Sequence, residues 1–138
     1  MTKKELSRLY WLKKEIAWQK QKLKELQARA EKCTPNLAQT PGGGGENAVE
    51  KYSILIAEQR ELIENQTRQA VIEYNRIYRY IAGLPDPQIR LIFSLRYLDC
   101  LSWQKIAWRM GESDESYPRR KHNQYLKAAE NAELDVVG

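Results

Sequence analysis

The sequence predicts an all-α protein: a long antiparallel, coiled-coil-like helical hairpin followed by a C-terminal trihelical domain with a helix-turn-helix. Three observations predict it. Two long stretches repeat apolar residues at spacings of three and four, the period of one helix face. A break rich in proline and glycine separates them. Between Leu101 and Leu126, a short amphipathic segment is followed by a glycine and then by a basic segment.

The first helix is expected over about Lys3–Lys32, which holds no Gly or Pro and is dominated by good helix formers. Leu9, Leu12, Ile16, Gln19, Leu23, Leu26, Ala30 and Cys33 form a heptad seam. Gln19 is its one polar position and fixes register at some loss of stability. Trp11 and Trp18 lie seven residues apart beside the seam and read as extra packing surface, with an apolar partner site as the sharper alternative. Residues 34–47, with Pro35, Pro41 and Gly42 to Gly45, read as a connector. The glycine run is not a phosphate loop, because no Gly-Lys-Ser/Thr follows it and no strand precedes it.

The second helix is expected over about Glu46–Ala82. Val49, Tyr52, Ile56, Gln59, Ile63, Gln66 and Ala70 make its seam, backed by Leu55 and Leu62. Beyond Ala70 the seam shifts to Tyr74, Ile77, Tyr78 and Ile81. Residues 1–82 thus read as a helical hairpin for oligomerisation, with helices of roughly 45 and 55 Å at about 1.5 Å per residue. Such a hairpin exposes apolar surface unless something covers it, which points to a homo-oligomer, a dimer first.

Residues 83–138 read as the helix-turn-helix domain. Gly83-Leu84-Pro85-Asp86-Pro87 ends the hairpin, with Asp86 as N-cap and Pro87 at the first helical position. A helix to about Leu98 turns Ile89, Ile92, Phe93 and Leu95 inward. Ser102 caps the next helix, 103–110, in which Ile106, Ala107 and Met110 face the core. Gly111 supplies the left-handed residue of the turn. Pro118 is expected at the first position of the third helix, 118–133, and the chain frays beyond Leu134. Pro118, His122, Tyr125, Leu126 and Ala129 fall on one face of that helix, and Arg119, Arg120, Asn123, Gln124 and Lys127 on the other. Arg, Asn and Gln are the side chains that pair with base edges. His122 reads as a half-buried structural histidine. Trp108 reads as core, or as a contact with the 87–98 helix.

The net charge is +5 and unevenly placed. The first helix is strongly basic, the second slightly acidic, and residues 102–127 are basic again. Such a distribution is the footprint of a polyanion binder. No apolar run approaches the roughly 18 residues of a membrane span. With no secretory signal legible either, the expectation is a cytoplasmic protein. Cys33 and Cys100 read as free thiols. One histidine, no acidic pair, no nucleotide loop and no metal cluster argue against an enzyme, a cofactor or a bound metal.

At Leu91–Leu126 the sequence resembles region 4 of sigma-70-type factors, with the matching features beginning upstream at Leu84. The matching run is L-P-D-P-Q-I-R-L-I-F-S-L-R-Y-L-D-C-L-S-W-Q-K-I-A-W-R-M-G, followed by a basic helix ending Gln124-Tyr125-Leu126. With its helical N-terminal region, the whole chain is similar to phage regulators of the ArpU/RinA type, which control late gene transcription. The resemblance implies a sequence-specific regulator bound to double-stranded DNA, with RNA polymerase as a further partner. It implies that the helix after Pro118 enters the major groove. Arg119, Arg120, Asn123 and Gln124 would then contact bases, while Ser102, Lys105, Lys121 and Lys127 meet phosphates. The sequence departs from the family pattern at Pro118, where the second helix would already be under way, and at Arg120, in a slot that is usually apolar. A helix shifted to begin at Pro118 resolves both. Two alternatives remain: a DNA-packaging adaptor of the small-terminase type, and a purely structural coiled-coil partner.

Overall fold

A computed structural model describes residues 1–39 and 44–137, with side chains over 1–33 and 47–134. Every regular element among them is helical: α1 (Lys3–Leu6), α2 (Arg8–Gln39), α3 (Gly44–Ala82), α4 (Pro87–Phe93) continuing as a π-turn (Ser94–Leu98), α5 (Trp103–Met110) and α6 (Ser116–Val137). The connector expected over 34–47 is therefore shorter. Pro35 removes an amide donor from the helical ladder, yet α2 runs on past it to Gln39. Gly44 and Gly45 fall in the first turn of α3, where amides have no intrahelical bond to lose. The rest of the expected connector, residues 40–43, lies outside the described residues.

The chain divides into two compact units, Leu12–Val71 and a head made of Met1–Trp11 with Ile72–Gly138. In the first unit α2 and α3 pair antiparallel. Gln59 Nε2 donates to the Gln19 carbonyl at 2.9 Å and to Gln19 Oε1 at 2.6 Å. Further along, Gln66 Nε2 donates to Glu15 Oε1 at 2.6 Å, so the partner number falls as the first rises. Along the same seam, Leu12, Ile16, Leu23 and Leu26 of α2, with Ile56 and Ile63 of α3, are half-buried. Two helices shield only one stripe of each other, so Trp18, Ile54 and Leu62 stay exposed. Past this unit the second seam does not run through Tyr74 and Tyr78. Glu73, Ile77, Tyr80 and Ile81 are the shielded positions, and the two tyrosines stack on each other outside with ring centroids 6.4 Å apart.

Every fully buried apolar side chain among the described residues belongs to the head. The head begins with a capping box, in which Glu5 N–H donates to Thr2 Oγ1 and Thr2 N–H to Glu5 Oε2. The continuous helix expected from Lys3 is bent at Ser7, whose hydroxyl donates to the Lys3 carbonyl at 2.8 Å. A serine bonding back in this way loosens the ladder. Leu6 and Leu9 are sealed at 0% and 1% exposure, and so reach beyond the 83–138 segment expected to form this domain. They share the head core with Ile77, Ile81 and Leu84 and with Ile89, Ile92 and Phe93 of α4. Burying each such side chain stabilises by about 1.5–3 kcal/mol, so the head holds most of the apolar stabilisation.

Asp86 caps α4 by accepting from Gln88 N–H at 2.8 Å, with Pro87 at the first position. Arg90 donates to the Leu84 carbonyl at 2.6 Å and fastens the preceding loop. The helix expected to run to Leu98 widens at Ser94, and Asp99 N–H reaches back five residues to the Ser94 carbonyl. A helical register carried on from Phe93 would turn Arg96 inward and leave Tyr97 at the edge of the buried face. The wider turn rotates less per residue and brings Tyr97 into the core, at 4% exposure. Arg96 instead donates to the Leu101 carbonyl at 3.0 Å, and its guanidinium lies 4.4 Å over the Trp103 ring. Cys100 closes the segment in a left-handed conformation, φ 58°, which strains any residue but glycine.

Candidate nucleic-acid interface

Two helices and the turn between them build the surface. Ser102 starts α5, its hydroxyl accepting from Lys105 N–H at 3.3 Å. Ile106 and Ala107 face inward, fully buried, and Met110 is half-buried beside them. Trp108 is not core and is not covered by the 87–98 helix: it is 79% exposed. Two residues beyond Ile106 is about 200° of helical rotation, which puts Trp108 on the opposite face. Gly111 ends α5 at φ 75°. Its N–H donates to the Trp108 carbonyl and Glu112 N–H to the Ala107 carbonyl, the bond pair of a Schellman ending.

The third helix of the head starts earlier than Pro118. Asp114 receives Ser116 N–H at 3.0 Å and the Ser116 hydroxyl at 2.7 Å on one oxygen, and Arg120 at 2.7 Å on the other. These hydrogen bonds from Ser116, side chain first, hold the Asp114 carboxyl below its ordinary pKa, and Arg120 adds to the effect. Asp114 thus fixes α6 to begin at Ser116, which makes Pro118 its third residue. A proline is tolerated there because first-turn amides have no intrahelical acceptor. The ring of Pro118 is buried. Neither Asp114 nor the early start was legible, because Pro118 alone looked like a start signal. The clue was S-D-E-S, in which an Asp stands two residues before a Ser.

Along α6, His122 and Leu126 point inward and Tyr125 is half-buried. Of the expected base-contacting residues, Arg119, Arg120, Asn123 and Gln124 are all exposed. The Arg119 and Gln124 side chains carry no hydrogen bond or ion pair among the described residues. Arg120 is tied to Asp114, both side chains remaining more than half exposed. Asn123 is tied inward, its Oδ1 lying 2.9 Å from His122 Nδ1. Of the expected phosphate-contacting residues, Ser102, Lys105 and Lys127 are exposed, while Lys121 is half-buried with Nζ 5.7 Å over the Tyr117 ring. Tyr117, Arg120, Lys121 and Gln124 line one shallow open recess. The expected seam residues lie elsewhere: Leu12, Ile16, Leu23, Leu26, Ile56 and Ile63 in the hairpin unit, and Leu9 in the head core.

Beneath this surface His122 is sealed at 0% exposure, not half-buried as expected. Its Nε2 meets the Tyr97 hydroxyl, and the rings of Phe93 and Trp103 pack against it at centroid distances of 5.1 and 4.9 Å. Burial lowers its pKa, the Asn123 bond opposes the shift, and the charges of Lys3 and Arg96 lower it further. Burial also pushes the Tyr97 hydroxyl up to about 12. The one signal in the sequence was His122 falling in line with Pro118 and Leu126. The wide turn that delivers Tyr97 left no mark in the apolar period.

Among the described residues no cluster of His, Cys, Asp and Glu could hold a metal ion, and no helix is long and apolar enough to cross a membrane. Cys33 and Cys100 are free and half-buried. Compared with known proteins, the chain matches one family model over residues 34–130, described as a protein of unknown function, DUF1492. No curated protein and no solved structure gives a match.

Proposed function

The chain belongs to the DUF1492 family, and we propose that it is a sequence-specific double-stranded DNA-binding regulator of transcription, of the phage late-gene kind, that lays α6 in the major groove. One observation carries the reading. α6 is locked to the head by Pro118, His122 and Leu126, and its outward side presents Arg119, Arg120, Gln124 and Lys127 to solvent. A rigid helix carrying forked cations and amides suits base-edge recognition. The basic balance of residues 102–127 and the resemblance to sigma region 4 support the same conclusion. Lys105 and the Ser102-capped end of α5 are suited to flanking phosphates.

Fluorescence anisotropy with duplex DNA tests it. The Arg119→Ala, Arg120→Ala double variant should keep its helical circular dichroism and lose at least tenfold in affinity, given about 1–3 kcal/mol for each good base contact. Wild-type binding should weaken steeply with salt as counterions are released. Unchanged affinity in the double variant sinks the placement.

The hairpin unit supports a second copy of the chain as partner. It leaves Trp18, Ile54 and Leu62 exposed, and its two helices carry opposite net charge, α2 basic and α3 acidic. Pairing α2 of one copy with α3 of another would cover both apolar stripes and match their charges. Light scattering should give twice the 16.2 kDa chain mass at micromolar concentration, and a monomer there rules the pairing out.

A further inference from the structure

His122 has one neighbour on each ring nitrogen, the Tyr97 hydroxyl at Nε2 and Asn123 Oδ1 at Nδ1. A neutral imidazole offers one donor and one acceptor, so two arrangements are open. In the first, the Tyr97 O–H donates to Nε2 and Nδ1–H donates to Asn123 Oδ1, and every group is satisfied. In the second, the Asn123 amide is turned over and donates to Nδ1, while Nε2–H donates to the Tyr97 oxygen. That leaves the Tyr97 O–H without an acceptor among the described residues, inside a core where an unpaired donor is expensive. The doubly protonated ring is disfavoured by complete burial, with Lys3 of α1 and Arg96 of the π-turn contributing positive charge nearby. The first arrangement is therefore the stable one.

We propose that Asn123 meets DNA as a hydrogen-bond donor and favours guanine over adenine, with Tyr97 and His122 as the positioning residues that hold its amide in that sense. This rests on the DNA-binding reading above. Asn123 is exposed, yet its oxygen is taken up by the core, so its two N–H groups are what it offers outward. The usual asparagine–adenine pair needs both halves of the amide, the oxygen for the adenine amino group and the nitrogen for N7. Guanine presents two acceptors, N7 and O6, and suits a donor alone. The expected preference is about tenfold, the size of one good base contact.

Two measurements on the full chain test it. Duplexes selected from a random pool by wild type, Asn123→Asp and Tyr97→Phe report base preference. The wild-type site should hold a guanine that Asn123→Asp changes to cytosine, because a carboxylate keeps the bond from Nδ1–H and accepts from the cytosine amino group. Tyr97→Phe removes the hydroxyl that makes Nε2 an acceptor, and should relax guanine toward adenine at that one position. An adenine at the Asn123-dependent position, or a Tyr97→Phe pool identical to wild type, overturns the proposal. Nitrogen-15 shifts of the single imidazole of the wild type give the second reading without DNA. Protonated Nδ1 and bare Nε2 support it, and the opposite tautomer overturns it whether or not the variants fold. A wild-type pool with no enrichment defeats the DNA-binding reading itself, and this inference with it, while leaving the tautomer result standing.

Discussion

His122 is the chain's one histidine, so its titration can be followed without interference from another. Burial depresses its pKa below 6.5 in the folded state, while the unfolded chain keeps the ordinary value. Below pH 6.5 the unfolded state therefore takes up a proton that the folded state resists. The stability due to the neutral ring is fully present above about pH 7 and is lost as pH falls through the unfolded pKa. The urea midpoint should fall between pH 7.5 and pH 5.5, well above the range in which Glu5 and Asp114 titrate, and a flat midpoint would show that the ring is not sealed. The inward direction of His122 was legible because it stands four residues from both Pro118 and Leu126 on a helix. Its partners were not, since a change of helical pitch turns Tyr97 from the edge of the core face to its centre, which an apolar period of 3.6 cannot encode.

At the scale of elements, capping chemistry was legible and competition between start signals was not. Asp86-Pro87, Ser102 and Gly111 all act as the sequence suggests, because each satisfies a terminal backbone group by a local bond. Pro118 misled because proline fits any position in the first turn, and the side chain that sets the boundary, Asp114, lies four residues earlier. Asp114 has a double effect: it caps α6 and neutralises Arg120 on the candidate reading face. Asp114→Ala should thus lower stability by about 1 kcal/mol in urea denaturation, the usual worth of such a cap. It should also tighten duplex binding and steepen the salt dependence by about one phosphate contact. Weaker binding in this variant would mean that Asp114 orients Arg120 for DNA instead of restraining it.

Across the whole molecule, the all-α class and the antiparallel pairing of the long helices follow from the two heptad seams, and the polar pairs Gln19–Gln59 and Glu15–Gln66 keep that register. The extent of the head does not follow from periodicity. Leu9 stands in the same seam as Leu12, yet with Leu6 it is sealed in the head while Leu12 and the residues after it are only half-buried. Nothing in a run of leucines says where one partner surface gives way to another. A fragment of residues 83–138 lacks Leu6, Leu9, Ile77 and Ile81, four side chains worth about 1.5–3 kcal/mol each when buried. It should show no cooperative thermal transition by circular dichroism, whereas the full chain should melt sharply. A cooperative fragment would mean that these residues only decorate the head.

The division of the head between Met1–Trp11 and Ile72–Gly138 also bears on how the chain reaches this state. Its core must join segments separated by sixty residues, a closure whose entropic penalty grows with the logarithm of the intervening length. The intervening residues, Leu12–Val71, are the antiparallel helix pair itself, so a route that zips the hairpin first closes the head core across a shorter effective loop. On that route the long helices are the clasp, and the domain proposed to read DNA is completed after it has fastened.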